Sequence, residues 1–186
     1  MGKKFEKMII RNAEIDYTNF AGIANNCNAA GSRNFCVIFD DLKLVKKMQE
    51  DHWNMKPYKP SLNEDTGEYT KYYTQVNVAY DHWKFPDPKI RFVSEGGRKQ
   101  TNIADESLLN QDSEICPDKL YFDRVDLSVY LNRSTNKVTG KPQTKGYLCS
   151  FYAWLEEDEL DKEYDNLLYG DEGVPVDEDE VPFDED

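Results

Sequence analysis

The sequence lacks any long apolar run. Nothing in its 186 residues approaches the ~20 consecutive apolar residues of a membrane-spanning helix, so no membrane association is expected. Its first ten residues, MGKKFEKMII, carry lysines but no apolar stretch of the roughly 7–15 residues that a signal peptide uses. Cysteine is sparse. Cys27, Cys36, Cys116 and Cys149 lie far apart with no C-x-x-C spacing, which suits reduced thiols in a cytoplasm and excludes a disulfide scaffold. Cys27 and Cys36 are too far apart, and have no flanking histidine, to read as a close pair of zinc ligands, so no metal and no cofactor is expected. Histidine is rarer still. His52 and His82 each stand beside a tryptophan with no serine or cysteine pattern to complete a nucleophilic triad. Gly140-Lys141-Pro142 lacks the leading glycine and the hydroxyl residue of a phosphate-binding loop. A nuclease reading could start from Asp87 and Glu95, but Gly96 and Gly97 occupy the positions where a lysine would follow. The expectation is therefore a protein that is not an enzyme.

Acidic charge, in contrast, is abundant and unevenly placed. The net charge is −13, yet residues 156–186 hold sixteen Asp and Glu against Lys162 alone, a net of −15. Residues 1–155 hold 22 Lys and Arg against 20 Asp and Glu, a net of +2. Like-charge blocks of this kind repel themselves and act as solvated arms. The division predicts a domain over 1–155, an acidic linker with a short helix over 156–170, and a disordered acidic tail over 171–186.

The body reads as strands joined by polar turns. Residues 8–15 and 35–40 are short β-rich runs flanking an Asn-, Gly- and Ser-rich loop. Asp40 or Asp41 can cap a helix reaching Asp51, with Leu44, Val45 and Met48 on one face. Another strand is predicted over 53–58, then a polar hairpin loop around 63–67. Residues 71–80 alternate, with Tyr72, Val76, Val78 and Tyr80 opposed to Tyr73, Gln75, Asn77 and Ala79. Residues 88–94 alternate likewise and end at Gly96-Gly97, and a short helix is plausible over 104–111. In 121–131 Val125, Leu127, Val129 and Leu131 form the core face. A long polar loop is predicted over 132–145, a largely apolar strand over 147–155, and a helix over 158–169. Strands without an alternating β–α pattern predict a mainly β fold: a five-stranded antiparallel oligonucleotide-binding (OB-type) Greek-key barrel with one or two short helices.

The outward strand faces mix rings with cations and amides, a surface suited to single-stranded nucleic acid: bases stack on rings while cations track phosphates. The helix carries no Arg, Asn and Gln cluster for reading duplex base edges. Tyr58, Tyr73 and Tyr130 are the candidate base-stacking residues. Lys56, Lys89, Arg91, Arg124, Arg133, Lys141 and Lys145 are the candidate phosphate contacts, with Trp53 and Arg33 near the groove mouth. At the end of the chain an acidic run encloses Val181-Pro182-Phe183-Asp184, an apolar tip that charge could steer into a basic-rimmed pocket.

The chain resembles the single-stranded-DNA-binding proteins encoded by tailed phages. The resemblance rests on motifs in order: Ile10-Arg11-Asn12, Gly31-Ser32-Arg33-Asn34-Phe35-Cys36-Val37-Ile38, Trp53-Asn54-Met55-Lys56, Gln75-Val76-Asn77-Val78, Pro88-Lys89-Ile90 and Lys145-Gly146-Tyr147-Leu148. It implies an OB fold, an acidic tail and a non-enzymatic role in coating single-stranded DNA in the host cell cytoplasm during replication, recombination or repair. The tail is similar to the acidic tips of bacterial single-stranded-DNA-binding proteins, which recruit replication and repair enzymes. Here Phe183 is followed by Asp184-Glu185-Asp186, so the ring matches and the terminal carboxylate does not. The expected partners are single-stranded DNA and, through the tail, replication or recombination proteins, with a homodimer open. A different class of function is also open: a DNA mimic or adaptor whose acidic tail binds a basic protein.

Overall fold

The computed structural model describes residues 4–157, together with Leu160, Glu163 and Leu167, which are helical. The rest of the helix expected over 158–169, and all of the 171–186 tail including Val181, Pro182, Phe183 and Asp184, lie outside the described residues. The strands are β1 (Lys7–Ile10), β2 (Glu14–Asn19), β3 (Asn34–Phe39), β4 (Lys56–Pro57), β5 (Leu62–Asn63), β6 (Glu68–Tyr69), β7 (Tyr72–Asn77), β8 (Lys89–Ser94), β9 (Lys99–Ile103), β10 (Phe122–Thr135) and β11 (Pro142–Leu155). An α-helix, α1 (Leu42–Glu50), follows β3. Nine strands form one sheet in the order β1-β10-β11-β7-β3-β2, with β4 added to β7 and β8 placed between β11 and β9. The fold is thus mainly β, as the alternation implies, with more strands than the five expected. The surplus includes β9, whose polar residues leave no alternating signal, whereas β4 falls within the strand expected over 53–58.

Local chemistry explains the elements. Asp41 caps α1 by accepting from the Lys43 and Leu44 N–H groups, and Val45 and Met48 are its buried residues. The run expected as one strand over 8–15 breaks at Asn12, whose φ of +49° suits asparagine better than most residues. The Asn12 N–H donates to Asp126 Oδ1 at 2.7 Å and the Ala13 N–H to the Val125 carbonyl at 2.7 Å. The chain therefore pairs first with β10, turns, and then pairs with β3 as β2. Gly96 and Gly97, at φ +64° and +91°, do not end the sheet but reverse the chain into β9. The helix expected over 104–111 is a single 3₁₀ turn, Glu106–Leu109, capped by Asp105.

The largest departure is the segment 132–145. Instead of a polar loop, β10 and β11 stay paired out to Thr135↔Pro142, and only residues 136–141 turn. Asn136 Oδ1 accepts from the Val138 and Thr139 N–H groups, and Gly140, at φ +70°, donates to the Asn136 carbonyl. Ladder bonds hold this arm, and polar side chains on both its faces erase the hydrophobic alternation that marks a strand.

The core gathers the inward residues of all the long strands. Phe20 and Phe35 stack at 5.1 Å, and Phe151 meets both edge-on at 5.4 and 5.6 Å. Ile90, Phe92, Val125, Leu127 and Val129 join them, matching the inward faces read from 88–94 and 121–131. Trp53 is part of this core, 6% exposed, and lies where a Cβ on Gly146 would come within 3.2 Å of its ring. That contact explains the glycine and removes Trp53 from the groove mouth where it was expected. Among the described residues no helix is long and apolar enough to cross a membrane.

Candidate nucleic-acid interface

Strand parity places Tyr73, Gln75 and Asn77 on the outward face of β7, opposite the buried Thr74 and Val76. Pairing with β3 sets Ile38 beside Tyr73, Cys36 beside Gln75 and Asn34 beside Asn77. On the other edge, β4 brings Lys56 to Tyr73, and the parallel contact of β11 with β7 brings Lys145 to the same side. Cys36, Lys56, Tyr73, Gln75, Asn77 and Lys145, together with Asn54, Thr74 and Thr144, line one cleft of about 180 Å³.

Tyr73 lines this cleft, and two further tyrosines cluster around its ring. Tyr17 lies 5.3 Å from Tyr73 and 6.1 Å from Tyr58, and Tyr58 lies 6.3 Å from Tyr73, ring centre to ring centre. Asp16 holds the cluster: its Oδ2 accepts from the Tyr58 hydroxyl at 2.6 Å and its Oδ1 from the Tyr17 N–H at 2.7 Å. The Tyr58 phenol is pushed up from its ordinary value, first by that hydrogen bond to Asp16 and then by burial. Burial raises Tyr73 as well. Both shifts run away from ionisation, so these phenols stay uncharged further into the alkaline range than an ordinary tyrosine. Burial also lifts the Cys36 thiol to about 11, so it lies at the cleft floor as an inert thiol. Tyr17 was not singled out by sequence. It sits at φ +50°, a backbone state that no alternation pattern signals for tyrosine.

Of the expected site residues, the structure brings together Tyr58, Tyr73, Lys56 and Lys145. Lys89, Arg91 and Arg124 fall on a separate stretch of sheet, outward on β8 and β10. There Arg91 lies 5.9 Å from the Tyr152 ring and Arg124 lies 5.1 Å from the Trp154 ring. Arg124 also pairs with Asp126 at 2.9 Å. Lys141 is exposed in the turn of the β10–β11 arm, while Arg133 nearer the body pairs with Asp51 at 2.8 Å and with Glu6.

Two expected residues have different work. Tyr130 is 6% exposed: its ring stacks on Phe85 at 5.0 Å and meets Phe5 edge-on at 5.4 Å, so it has no face to offer a base. Arg33 is a structural clamp, because its side chain is only 9% exposed. Its guanidinium donates to Glu106 at 3.1 Å, the Phe20 carbonyl at 2.6 Å and Asn110 at 2.7 Å. Arg33→Ala should cost about 2–3 kcal/mol of stability in urea unfolding, by stranding these partners, and should change ligand affinity less than twofold. Unchanged stability with weakened binding would return Arg33 to the interface. Among the described residues no three His, Cys, Asp or Glu side chains are grouped to hold a metal ion.

The family model that matches is described as "Putative phage ssDNA-binding domain", and it covers residues 1–186. The chain belongs to that family. Among solved structures it is similar to the C-terminally truncated single-stranded DNA-binding protein of bacteriophage Enc34, at 8% identity and a TM-score of 0.49 over 82% of this chain and 87% of that one. The Enc34 protein in complex with ssDNA is similar at 8% identity and a TM-score of 0.46, over 82% and 88%. The gp2.5 single-stranded DNA-binding protein of bacteriophage T7 is similar at 14% identity and a TM-score of 0.38, over 85% and 96%. No curated protein matches the sequence.

Proposed function

We propose that this protein binds and coats single-stranded DNA without strong sequence preference during phage DNA replication, recombination or repair, in the cytoplasm of the host cell. The observation that carries the reading is the cleft lined by Tyr73, Lys56 and Lys145, with the Tyr17 and Tyr58 rings clustered against Tyr73. Rings accept any base by stacking, and cations accept any phosphate, so such a surface holds a strand without reading it. Family membership supports the same ligand.

The finer reading of the fold is a five-stranded OB-type Greek-key barrel occupying 1–155. Its first strand is the bent β1–β2 segment, followed by β3, β7, β10 and β11, with the remaining short strands as additions. The parallel pairing of β11 with β7, and the bond from Ala13 back to Val125, support this closure. The acidic linker over 156–170 and the tail over 171–186 would recruit replication proteins through Phe183 and its neighbours, and compete with DNA for the cleft.

Titration of labelled poly-dT and of a matching duplex tests the reading. The single strand should bind well ahead of the duplex, and log K should fall linearly with log salt at about −0.7 per neutralised phosphate. Equal binding of both would overturn it in favour of general DNA binding, and none of either would overturn it and leave the acidic adaptor as the surviving explanation.

A further inference from the structure

The loop between β7 and β8 carries the most exposed ring of the body, Trp83, at 85%. This ring is not adrift. Trp83 stacks on His82 at 5.6 Å and 27°, His82 on Phe85 at 5.3 Å and 21°, and Phe85 on the buried Tyr130 at 5.0 Å and 4°. The imidazole also closes the loop: its Nδ1 accepts from the Lys84 and Phe85 N–H groups at 3.1 and 3.3 Å. Across the loop, the Asp81 N–H donates to Asp87 at 2.8 Å. An indole left in water on top of a ring ladder anchored in the core is a built feature, since exposing it forgoes the apolar burial that usually places tryptophan inside.

The position of the ladder gives it a use. Gln75 and Asn77 line both the cleft and the adjoining polar hollow that Tyr147 completes. Tyr147 lies 4.8 Å from His82, the second ring of the ladder. At its far end, Tyr130 lines a further hollow with Lys7, Arg11 and Lys89. The ladder therefore lies between the hollow that adjoins the Tyr73 cleft and the cationic stretch on β8. The carboxylates of Asp81 and Asp87 lie in the same loop, so the charge is not uniform there, but neither interrupts the ring stack.

We infer that Trp83 is a base-stacking post on which single-stranded DNA leaving the β7 cleft rests a nucleobase before its backbone continues to Lys89. The inference rests on the single-strand-binding reading above, and it makes the site longer than the cleft alone.

Intrinsic fluorescence separates the two. Trp53 is buried in the core, Trp154 is half-buried under Arg124, and Trp83 is the exposed indole. Oligo-dT should quench the exposed indole of the full chain, and Trp83→Phe should lose that quenching and bind long oligo-dT more weakly than the parent but more tightly than Trp83→Ala, because a smaller ring stacks less. Trp83→Ala should weaken long oligo-dT about tenfold or more, as expected for losing one stacked base, and leave the shortest oligomers that bind unaffected. Quenching that survives in Trp83→Phe, or equal affinity of the alanine variant at every length, would overturn the assignment alone and turn the indole over to a protein contact. Failure of the unmutated chain to bind oligo-dT would overturn this assignment together with the reading beneath it.

Discussion

Replacing Lys56, Tyr73 and Lys145 together by alanine is expected to weaken single-strand binding about a hundredfold or more at low salt and leave a folded protein. The three side chains meet in one cleft but come from β4, β7 and β11. Loss of a stacked ring accounts for roughly 1–3 kcal/mol, which is about five- to 150-fold. Loss of two phosphate contacts adds to that and should flatten the salt slope by about 1.4, at roughly 0.7 per contact on a single strand. Lys56 and Lys145 are exposed and Tyr73 is half-buried beside Tyr17 and Tyr58, so thermal unfolding should shift by only a few degrees. The informative comparison is Lys89→Ala with Arg91→Ala, which should spare short oligonucleotides because these cations sit apart from the cleft. If the triple variant bound within threefold of the parent, the cleft would not be the binding site.

Ending the chain after Gly170 should act in the opposite direction. It removes nine carboxylates and changes the net charge from −13 to −4. A strand of phosphates approaching the cleft should then meet less repulsion, and, on the proposed competition, no acidic tail is left to contend for the cations. Affinity for poly-dT should rise about tenfold or more at ~0.01 M salt, where the screening length is about 30 Å. The gain should shrink toward nothing as salt approaches ~1 M, where that length is about 3 Å. An unchanged affinity at low salt would show that the tail does not compete with DNA. A gain that persisted at high salt would point to a steric cause rather than a Coulombic one.

These two expectations draw on different layers of information. The tail's charge is a property of composition, and nothing in the fold is needed to count it. Strand faces were legible for the same reason: Tyr73, Gln75 and Asn77 lie opposite Val76 and Val78 because side chains alternate along any strand, whatever its neighbours. The stripe of Val45 and Met48 on α1 and the capping role of Asp41 follow from equally local rules.

What the sequence could not determine depends on which strands become neighbours. Lys56 reaches Tyr73 only because β4 pairs with β7, and Lys145 joins them only because β11 runs parallel to β7 across a separation of about seventy residues. The same pairings send Lys89, Arg91 and Arg124 to another stretch of the sheet, although their local alternation looks no different. Tyr130 shows the limit most plainly. It alternates outward from Leu131 and Val129, yet Phe85 and Phe5, arriving from distant segments, cover it. Tyr17 and Trp83 were missed for the converse reason, being placed by a left-handed backbone and by a ring ladder that no periodicity encodes. Local patterning determined the strands, the helix and the charged tail, because those depend on residues a few positions apart. Long-range pairing decided which rings and cations share a surface, because exposure belongs to the neighbours a strand acquires and not to the strand itself.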